Sequence, residues 1–447
     1  MPVPHFAVIA PPFTSHVRAL EALAGELLAR GHRVTWLQQD DVRGVLTDRR
    51  IAFAAVGSTS HPPGSLARVI ARAAKPGLWG IRRVIDDMAA STDMLCREAP
   101  AVLREARVDA VLADEMEAAG GVVAQAAGLP FVSVAAALPV QREPHLPLPV
   151  MPWGCARDEV GAQLNLHSAR VYDWLMRPHG RVIAEHARRF GLPPRTALHE
   201  CLSPLLRIAQ VTASFDFPRS DASLLHGVGP LRASTSDTAP GRWPHGFDPR
   251  PGVPLVFASL GTLQGGRFGL FRRIAQACHA EGVQLLLAHC GGLGLEQERQ
   301  LGRDGATWVT DFAPQQAAVE RADVVVTHAG LNTAMDALAA GTPMLALPIA
   351  FDQPGVAARI VHAGAGVRLL PALATRGALR RALRTLLDDS SYARRARELG
   401  VDVRAAGGVV RAADLIEAAL RGVAPAARAS GHVARAKQRV ADAVEQD

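Results

Sequence analysis

The chain has 447 residues, 49% of them hydrophobic and 20% charged, with a formal net charge of +7. That length exceeds one ordinary core and implies two or three domains, and no apolar run approaches the roughly 20 residues that a bilayer span requires. Lys75 and Lys437 are the only lysines, so the excess charge is arginine in an Ala- and Gly-rich background; without a nucleic-acid motif it reads as coding bias, and nucleic acid is not an expected partner.

The five cysteines (Cys96, Cys155, Cys201, Cys278 and Cys290) are odd in number, scattered and without CxxC spacing. That argues against a disulfide framework or a zinc site and for a reducing, cytoplasmic location. The N-terminus lacks a basic n-region, so no secretory signal is expected.

His5 to Ala10 reads as a buried strand, Pro11 to His16 as a turn, and Val17 to Arg30 as an amphipathic helix closed by Gly31. Arg33 to Gln38 is the second strand. A β-turn-α-β opening starts a doubly wound α/β domain, in which ligands bind beyond the carboxyl ends of the strands. No G-x-G-x-x-G occupies the first turn, so an NAD-type cofactor is not expected. His16 stands at that edge, either as a ligand-facing group or as a helix N-cap neighbour facing water. Residues 65–88 mix apolar and basic residues at helical spacing, broken at Pro76-Gly77. Two surface helices account for them; the sharper alternative is an interfacial contact with a membrane.

Val108 to Leu112 is another strand, ending at Ala113-Asp114-Glu115, and Phe131 to Val134 follows the helix Ala118 to Ala127. Asp114 thus shares the topological edge of His16, as one half of an acid–base pair or as a capping aspartate. The proline-rich stretch 139–155 is irregular and placed to shape a pocket. Helices and a return strand fill 160 to 235.

Residues 1–235 form the expected N-terminal, acceptor-side domain, 236–253 a linker, 254–422 a second domain and 423–447 a frayed tail. The last helices of the second domain are candidates to pack back on the first. In the second domain Leu255 to Ser259 is a strand, Gly261-Thr262 a turn, Phe268 to Ala280 a helix, and Val283 to Ala288 a strand. Val324 to Val326 is a strand that leads through His328-Ala329-Gly330-Leu331-Asn332-Thr333 into a helix from Thr333 to Ala340, and Met344 to Leu347 is the next strand. The turn lies where free backbone N–H groups and the helix dipole make a seat for phosphate.

The stretch from Asp311 to Gln353 resembles the signature box of the UDP-glycosyltransferases, an inverting family with the GT-B fold of two Rossmann-like domains facing each other across a cleft. Phe312, Pro314-Gln315, His328, Gly330, Asn332, Thr333, Asp336, Asp352 and Gln353 fill the places of that box in order. The resemblance implies that Phe312 packs on the nucleotide base and that Gln315 and Asp336 hold the ribose. It places His328, Gly330, Asn332, Thr333, Ser259 and Thr262 around the diphosphate, and Asp352 and Gln353 on the sugar hydroxyls. On the acceptor side it implies His16 as general base and Asp114 as the carboxylate that orients it. Phe312 and Leu331 stand where plant members carry tryptophan, and Asp336 is one methylene shorter than the usual glutamate. Those departures leave the choice between UDP- and dTDP-sugars open.

Passages along nearly the whole chain, among them FAVIAPPFTSHVRAL, FASLGTLQG and ALPIAFDQPGVAARIV, resemble the branch of that family that glucosylates hydroxylated carotenoids. That branch implies UDP-glucose as donor, zeaxanthin or a similar carotenoid as acceptor, and mono- and di-β-glucosides as products. It further implies no cofactor or metal, and a peripheral contact with the inner face of the cytoplasmic membrane. Three alternatives stay open: a sugar transferase acting on another hydrophobic natural product such as a polyketide, an epimerase, and a non-catalytic binding protein on the same fold.

Overall fold

A computed structural model describes residues 4–74, 78–233 and 242–422. The expected tail 423–447, the first part of the linker (236–241) and the Pro76-Gly77 break lie outside the described residues.

The first half runs β1 (His5–Ile9), α1 (Thr14–Ala29), β2 (Arg33–Gln38), β3 (Ala52–Ala55), α2 (Ser65–Ala74) and α3 (Leu78–Glu105). It continues through β4 (Ala110–Asp114), α4 (Ala118–Ala126), β5 (Phe131–Ala135), α5 (Glu159–Leu175), α6 (Arg177–Arg189), β6 (Arg207–Ala209) and β7 (Leu225–Gly227). Its seven strands pair in the order β3-β2-β1-β4-β5-β6-β7, all parallel. β1, β4 and β5 are buried at every residue, as expected of central parallel strands covered on both faces by helices.

The second half runs β8 (Leu255–Ser259), α7 (Gly261–Gln264), α8 (Phe268–Glu281), β9 (Gln284–Ala288), α9 (Leu295–Arg303), β10 (Trp308–Thr310) and α10 (Gln315–Arg321). Then come β11 (Val324–Thr327), α11 (Leu331–Ala340), β12 (Met344–Ala346), α12 (Gln353–His362), β13 (Gly366–Arg368), α13 (Arg376–Asp388), α14 (Ser390–Ala405) and α15 (Gly408–Gly422). The six strands order as β10-β9-β8-β11-β12-β13, again all parallel. In both sheets the strand order reverses beside the first strand, so each has its crevice there: between β1 and β4, and between β8 and β11.

Several expectations are corrected. Gly261-Thr262 opens the short helix α7 rather than a turn. α11 begins at Leu331, so Asn332 and Thr333 sit in its first turn. Two strands, β6 and β7, return where one was expected. Residues 65–74 and 78–88 lie in the two helices α2 and α3, with Leu66, Ala73 and Ile85 buried, Val69 and Ile70 packed on the core, and Ile81, Arg82 and Arg83 exposed. What remains of the linker lies on the second domain, where the Trp243 and Phe247 rings stack at 4.2 Å and Trp308 meets Phe247 edge-on.

The two domains share a core. Leu138, Val211 and Phe215 of the first pack in one cluster with Val356 and Ile360 of the second. α12 is pinned to the first domain at a buried ion pair, Arg359 Nε to Asp216 Oδ1 at 2.6 Å. It is also pinned at Gly355, where an added Cβ would lie 2.1 Å from the Pro149 carbonyl oxygen. α15 crosses back to pack Val409, Ala412, Ala413 and Ile416 into the first domain's core. Arg30 bonds Asp414 at 2.7 Å, and His32 bonds Glu417 at 2.9 Å.

Candidate functional site

The crevice of the first sheet holds His16 and Asp114. Asp114 is the last residue of β4, and β4 pairs with β1 so that Ile9 lies beside Ala113. The chain leaving β1 turns at Pro11-Pro12 and enters α1, whose first turn carries His16. His16 Nδ1 lies 2.8 Å from Asp114 Oδ2, while the other carboxylate oxygen accepts the Met116 N–H at 2.9 Å. With Nδ1–H donating to the carboxylate, Nε2 is left as the basic nitrogen. Burial alone would lower the imidazole pKa, but the charge and hydrogen bond of Asp114, joined by the charge of Asp352, outweigh it and hold it raised.

The crevice of the second sheet is built on β8 and β11, paired so that Thr327 lies beside Ser259. His328 follows β11, and its ring fills the gap between two glycines. An added Cβ at Gly261 would lie 2.6 Å from its Cε1, and one at Gly330 would lie 2.5 Å from its Nε2. Ala329 takes a left-handed φ of 65° to make that turn, a conformation that costs a non-glycine residue energy and clusters at functional sites. Burial pushes the His328 imidazole down to about 4, against a raising contact with the Ser259 backbone, so the ring is neutral near neutral pH. Its Nδ1 is buried without a hydrogen-bond partner among the described residues. Gly330 is the N-cap of α11 and offers no side-chain cap, so the first amides of the helix, from Leu331 to Thr333, present free donors.

Asp336, one turn into α11, is buried and held on both oxygens. Gln315 Nε2 donates to Oδ2 at 2.7 Å, and Arg232 Nε donates to Oδ1 at 2.8 Å. Arg232 also reaches the carbonyls of Asn332 (2.9 Å) and Leu231 (2.9 Å) and the side chain of Gln210 (3.2 Å). The Asn332 carboxamide is engaged across the cleft, accepting from Gln210 Nε2 at 2.8 Å and donating to the Ser15 carbonyl at 3.1 Å. The second Nδ2 hydrogen is left for a diphosphate contact by that side chain. Arg232 and Gln210 carry no signature in the sequence; a lone arginine before a linker and a glutamine after a short strand have no local pattern to find them by.

Asp352 is the N-cap of α12, and its Oδ2 accepts the Leu138 N–H of the other domain at 3.2 Å. Burial raises its pKa, with the Leu138 N–H and the His16 charge opposing. Phe351, just before it, has φ 57°. Gln353 Oε1 ties that loop by accepting from Ile349 N (2.9 Å) and Ala350 N (2.8 Å). Ser259 Oγ accepts from Gly261 N at 3.4 Å.

One continuous cavity of about 2020 Å³ joins the two crevices. His16, Ser259, Thr262, Phe312, Gln315, His328, Gly330, Asn332, Thr333, Asp336, Asp352 and Gln353 all line it, and Asp114 stands behind His16. Phe312 is 39% exposed, at the rim. Glu117 also lines the cavity and was not anticipated; burial pushes its carboxyl up to about 6 against hydrogen bonds from Thr92, Ala119 N and Ser91. Among the described residues no group of three His, Cys, Asp or Glu side chains is arranged to hold a metal ion.

Two doubly wound sheets facing across one cleft make the GT-B architecture of glycosyltransferases. The chain superposes on the calicheamicin glycosyltransferase CalG4 with a TM-score of 0.72 at 22% identity, over 95% of this chain and all of that one. It matches the kitacinnamycin glycosyltransferase with a TM-score of 0.71 at 25% identity, over 94% of this chain and all of that one. Residues 193–401 match the family model "UDP-glucoronosyl and UDP-glucosyl transferase". The chain is 49% identical to the zeaxanthin glucosyltransferase of Pantoea ananas, over 92% of this chain and 95% of that protein. It is 44% identical to the zeaxanthin glucosyltransferase of Pseudescherichia vulneris, over 94% and 98%. The protein is a glycosyltransferase and belongs to the UDP-glycosyltransferase family.

Proposed function

We propose that this enzyme moves glucose from UDP-glucose to the ring hydroxyls of zeaxanthin or a similar hydroxylated carotenoid, with inversion. The observation that carries the reading is a His16–Asp114 pair and an uncapped helix N-terminus lining one cavity, with the names of two relatives over 40% identical pointing to the acceptor. The cavity is about 2020 Å³, well above the roughly 300–1,000 Å³ of ordinary ligand sites, and Val69, Ile70, Val84, Ile85 and Met88 give its acceptor side an apolar wall.

In the proposed step His16 Nε2 takes the hydroxyl proton as the acceptor oxygen attacks the anomeric carbon. The carbon–oxygen bond to the diphosphate breaks with its electron pair leaving on UDP, and the new bond has the β configuration. General base assistance contributes ~10²–10⁴ in rate, and Asp114 stabilises the imidazolium that forms. The leaving charge is met by the amides from Gly330 to Thr333, the neutral His328, Ser259 and Thr262, so no step is assigned to a metal ion or cofactor. Phe312 packs on the base, Gln315 and Asp336 bind the ribose, and Asp352 and Gln353 bind the glucose hydroxyls. Zeaxanthin has two equivalent ends, so a second round gives the diglucoside. The five unpaired cysteines fit work in the reducing cytoplasm, at the inner face of the membrane that holds the acceptor.

A second reading, a dTDP-sugar transferase acting on another hydrophobic natural product, draws on the engagement of both Asp336 oxygens by Arg232 and Gln315, because a deoxyribose asks less of that carboxylate. Incubation with carbon-13-labelled UDP-glucose and unlabelled dTDP-glucose in competition, with zeaxanthin as acceptor and mass detection of products, separates the two. Mono- and diglucosides from UDP-glucose support the first; no glucoside from either donor refutes the carotenoid acceptor.

A further inference from the structure

Six of the fifteen exposed large apolar side chains among the described residues lie on the single helix α5. Five of them, Val160, Leu164, Val171, Trp174 and Leu175, fall within about 100° of one another around the helix axis, and their exposures run from 43% to 77%. A helix on a globular domain ordinarily turns such a stripe inward. In α5 the one buried residue is Asn165. Its carboxamide accepts from the Trp153 indole at 2.9 Å and donates to the Pro144 carbonyl at 3.4 Å. The helix is anchored by a polar side chain and shows its apolar side outward.

That surface runs into the cavity mouth. Trp174 and Leu175 line the cavity while remaining exposed, and Ile81 of α3 does the same. Around them Arg82, Arg83, Arg170, Arg177 and Arg181 are exposed and form no ion pair among the described residues. Of the acidic groups on α5, Asp173 is bonded to Arg142 at 2.8 Å, and Glu159 stands exposed in the first turn. An apolar stripe flanked by unpaired guanidinium groups matches, in shape and charge, the boundary of an anionic bilayer.

We propose that α5 seats the enzyme on an anionic lipid surface, so that the cavity mouth opens against acyl chains and a lipophilic acceptor enters without crossing water. This rests on the reading of the acceptor as lipophilic given above. The seat is centred on α5: of residues 65–88, Leu66, Val69, Ile70, Ala73 and Ile85 are spent on the core and the cavity wall, and Ile81 adds to the surface at the mouth.

The test is the full chain with Val160→Gln, Leu164→Gln and Val171→Gln, three exposed positions that do not line the cavity. Wild type should co-sediment with vesicles containing phosphatidylglycerol, more weakly with phosphatidylcholine alone, and less as salt rises. The triple variant should bind at least tenfold more weakly. It should keep wild-type turnover with UDP-glucose on detergent-dispersed zeaxanthin and lose at least fivefold on zeaxanthin held in vesicles. Vesicle binding by the variant equal to wild type, or none by wild type, overturns the proposal. So does light scattering that shows a wild-type dimer dissociated by the three changes, because the stripe is then covered by a second copy. Vesicle binding that falls as expected while wild type glucosylates no carotenoid in detergent leaves the lipid seat standing and removes the proposed acceptor instead.

Discussion

Arg232→Ala is the most informative single substitution. The guanidinium spans four acceptors on three segments and is 21% exposed, whereas its partner Asp336 is 3% exposed. Removing one partner of a buried pair costs about 3–5 kcal/mol; because Gln315 stays on Asp336 and Arg232 is partly solvated, about 2–3 kcal/mol is expected, read as a lower Tm. A carboxylate has about four lone-pair sites, so a ribose diol can join Arg232 and Gln315 rather than displace them. Loss of the arginine then leaves Asp336 held by Gln315 alone. UDP should bind roughly ten- to a hundredfold more weakly, the equivalent of about 1.5–3 kcal/mol for a charged hydrogen bond. Arg232→Lys keeps the charge but not the fork and should fall between. Titration calorimetry with UDP, together with thermal denaturation, measures both losses. In an Asp336→Ala background the arginine change should cost no further affinity. Wild-type UDP affinity in a folded Arg232→Ala protein, or a full additional loss in that background, would refute the reasoning.

Three further outcomes are expected. His16→Ala should lower turnover by ~10²–10⁴ with UDP affinity nearly intact; near-normal turnover removes His16 as the base. A base must be neutral to act, and the His16 pKa is raised above 6.5. The acid limb of kcat/KM should therefore lie above pH 6.5, and Asp114→Asn, which leaves burial to dominate, should move it to lower pH as the rate drops; an unmoved limb assigns it to another group. Arg359→Met strips the buried Asp216 of its closest charge and should cost about 3–5 kcal/mol, less whatever Arg219 retains, seen as a lower midpoint in urea.

The fold was legible where strands are buried on both faces, because continuous Val, Ile, Leu and Phe runs have one reading in an α/β chain. β2 and β8 match their expected limits. β3, an edge strand of sequence AFAA, has too little β-branched character to announce itself. α12 begins Gln353-Pro354-Gly355, which reads as a break; the proline occupies the first turn, where its missing N–H is harmless, and the glycine admits the Pro149 carbonyl. On the site, the box from Phe312 to Gln353 could be followed because its spacing along one βαβ unit is local. Arg232, Gln210 and the Ser15 carbonyl meet that box only through folding, and so does the outward face of α5, whose apolar stripe is at ordinary core spacing. The sequence pattern shows that a stripe exists but not which side the neighbours cover.

The return of α15 to the first domain bears on how the enzyme can be recombined. A chimera cut at the linker, with the first 235 residues from one parent and the rest from another, would give each parent's α1 the other parent's α15. It would mismatch the packing of Val409, Ala412, Ala413 and Ile416 together with the Arg30–Asp414 and His32–Glu417 bonds. To keep that packing the last helix has to travel with the first half, and an exchanged segment between the linker and Gly407 must still match the first half at Arg359–Asp216 and at Asn332.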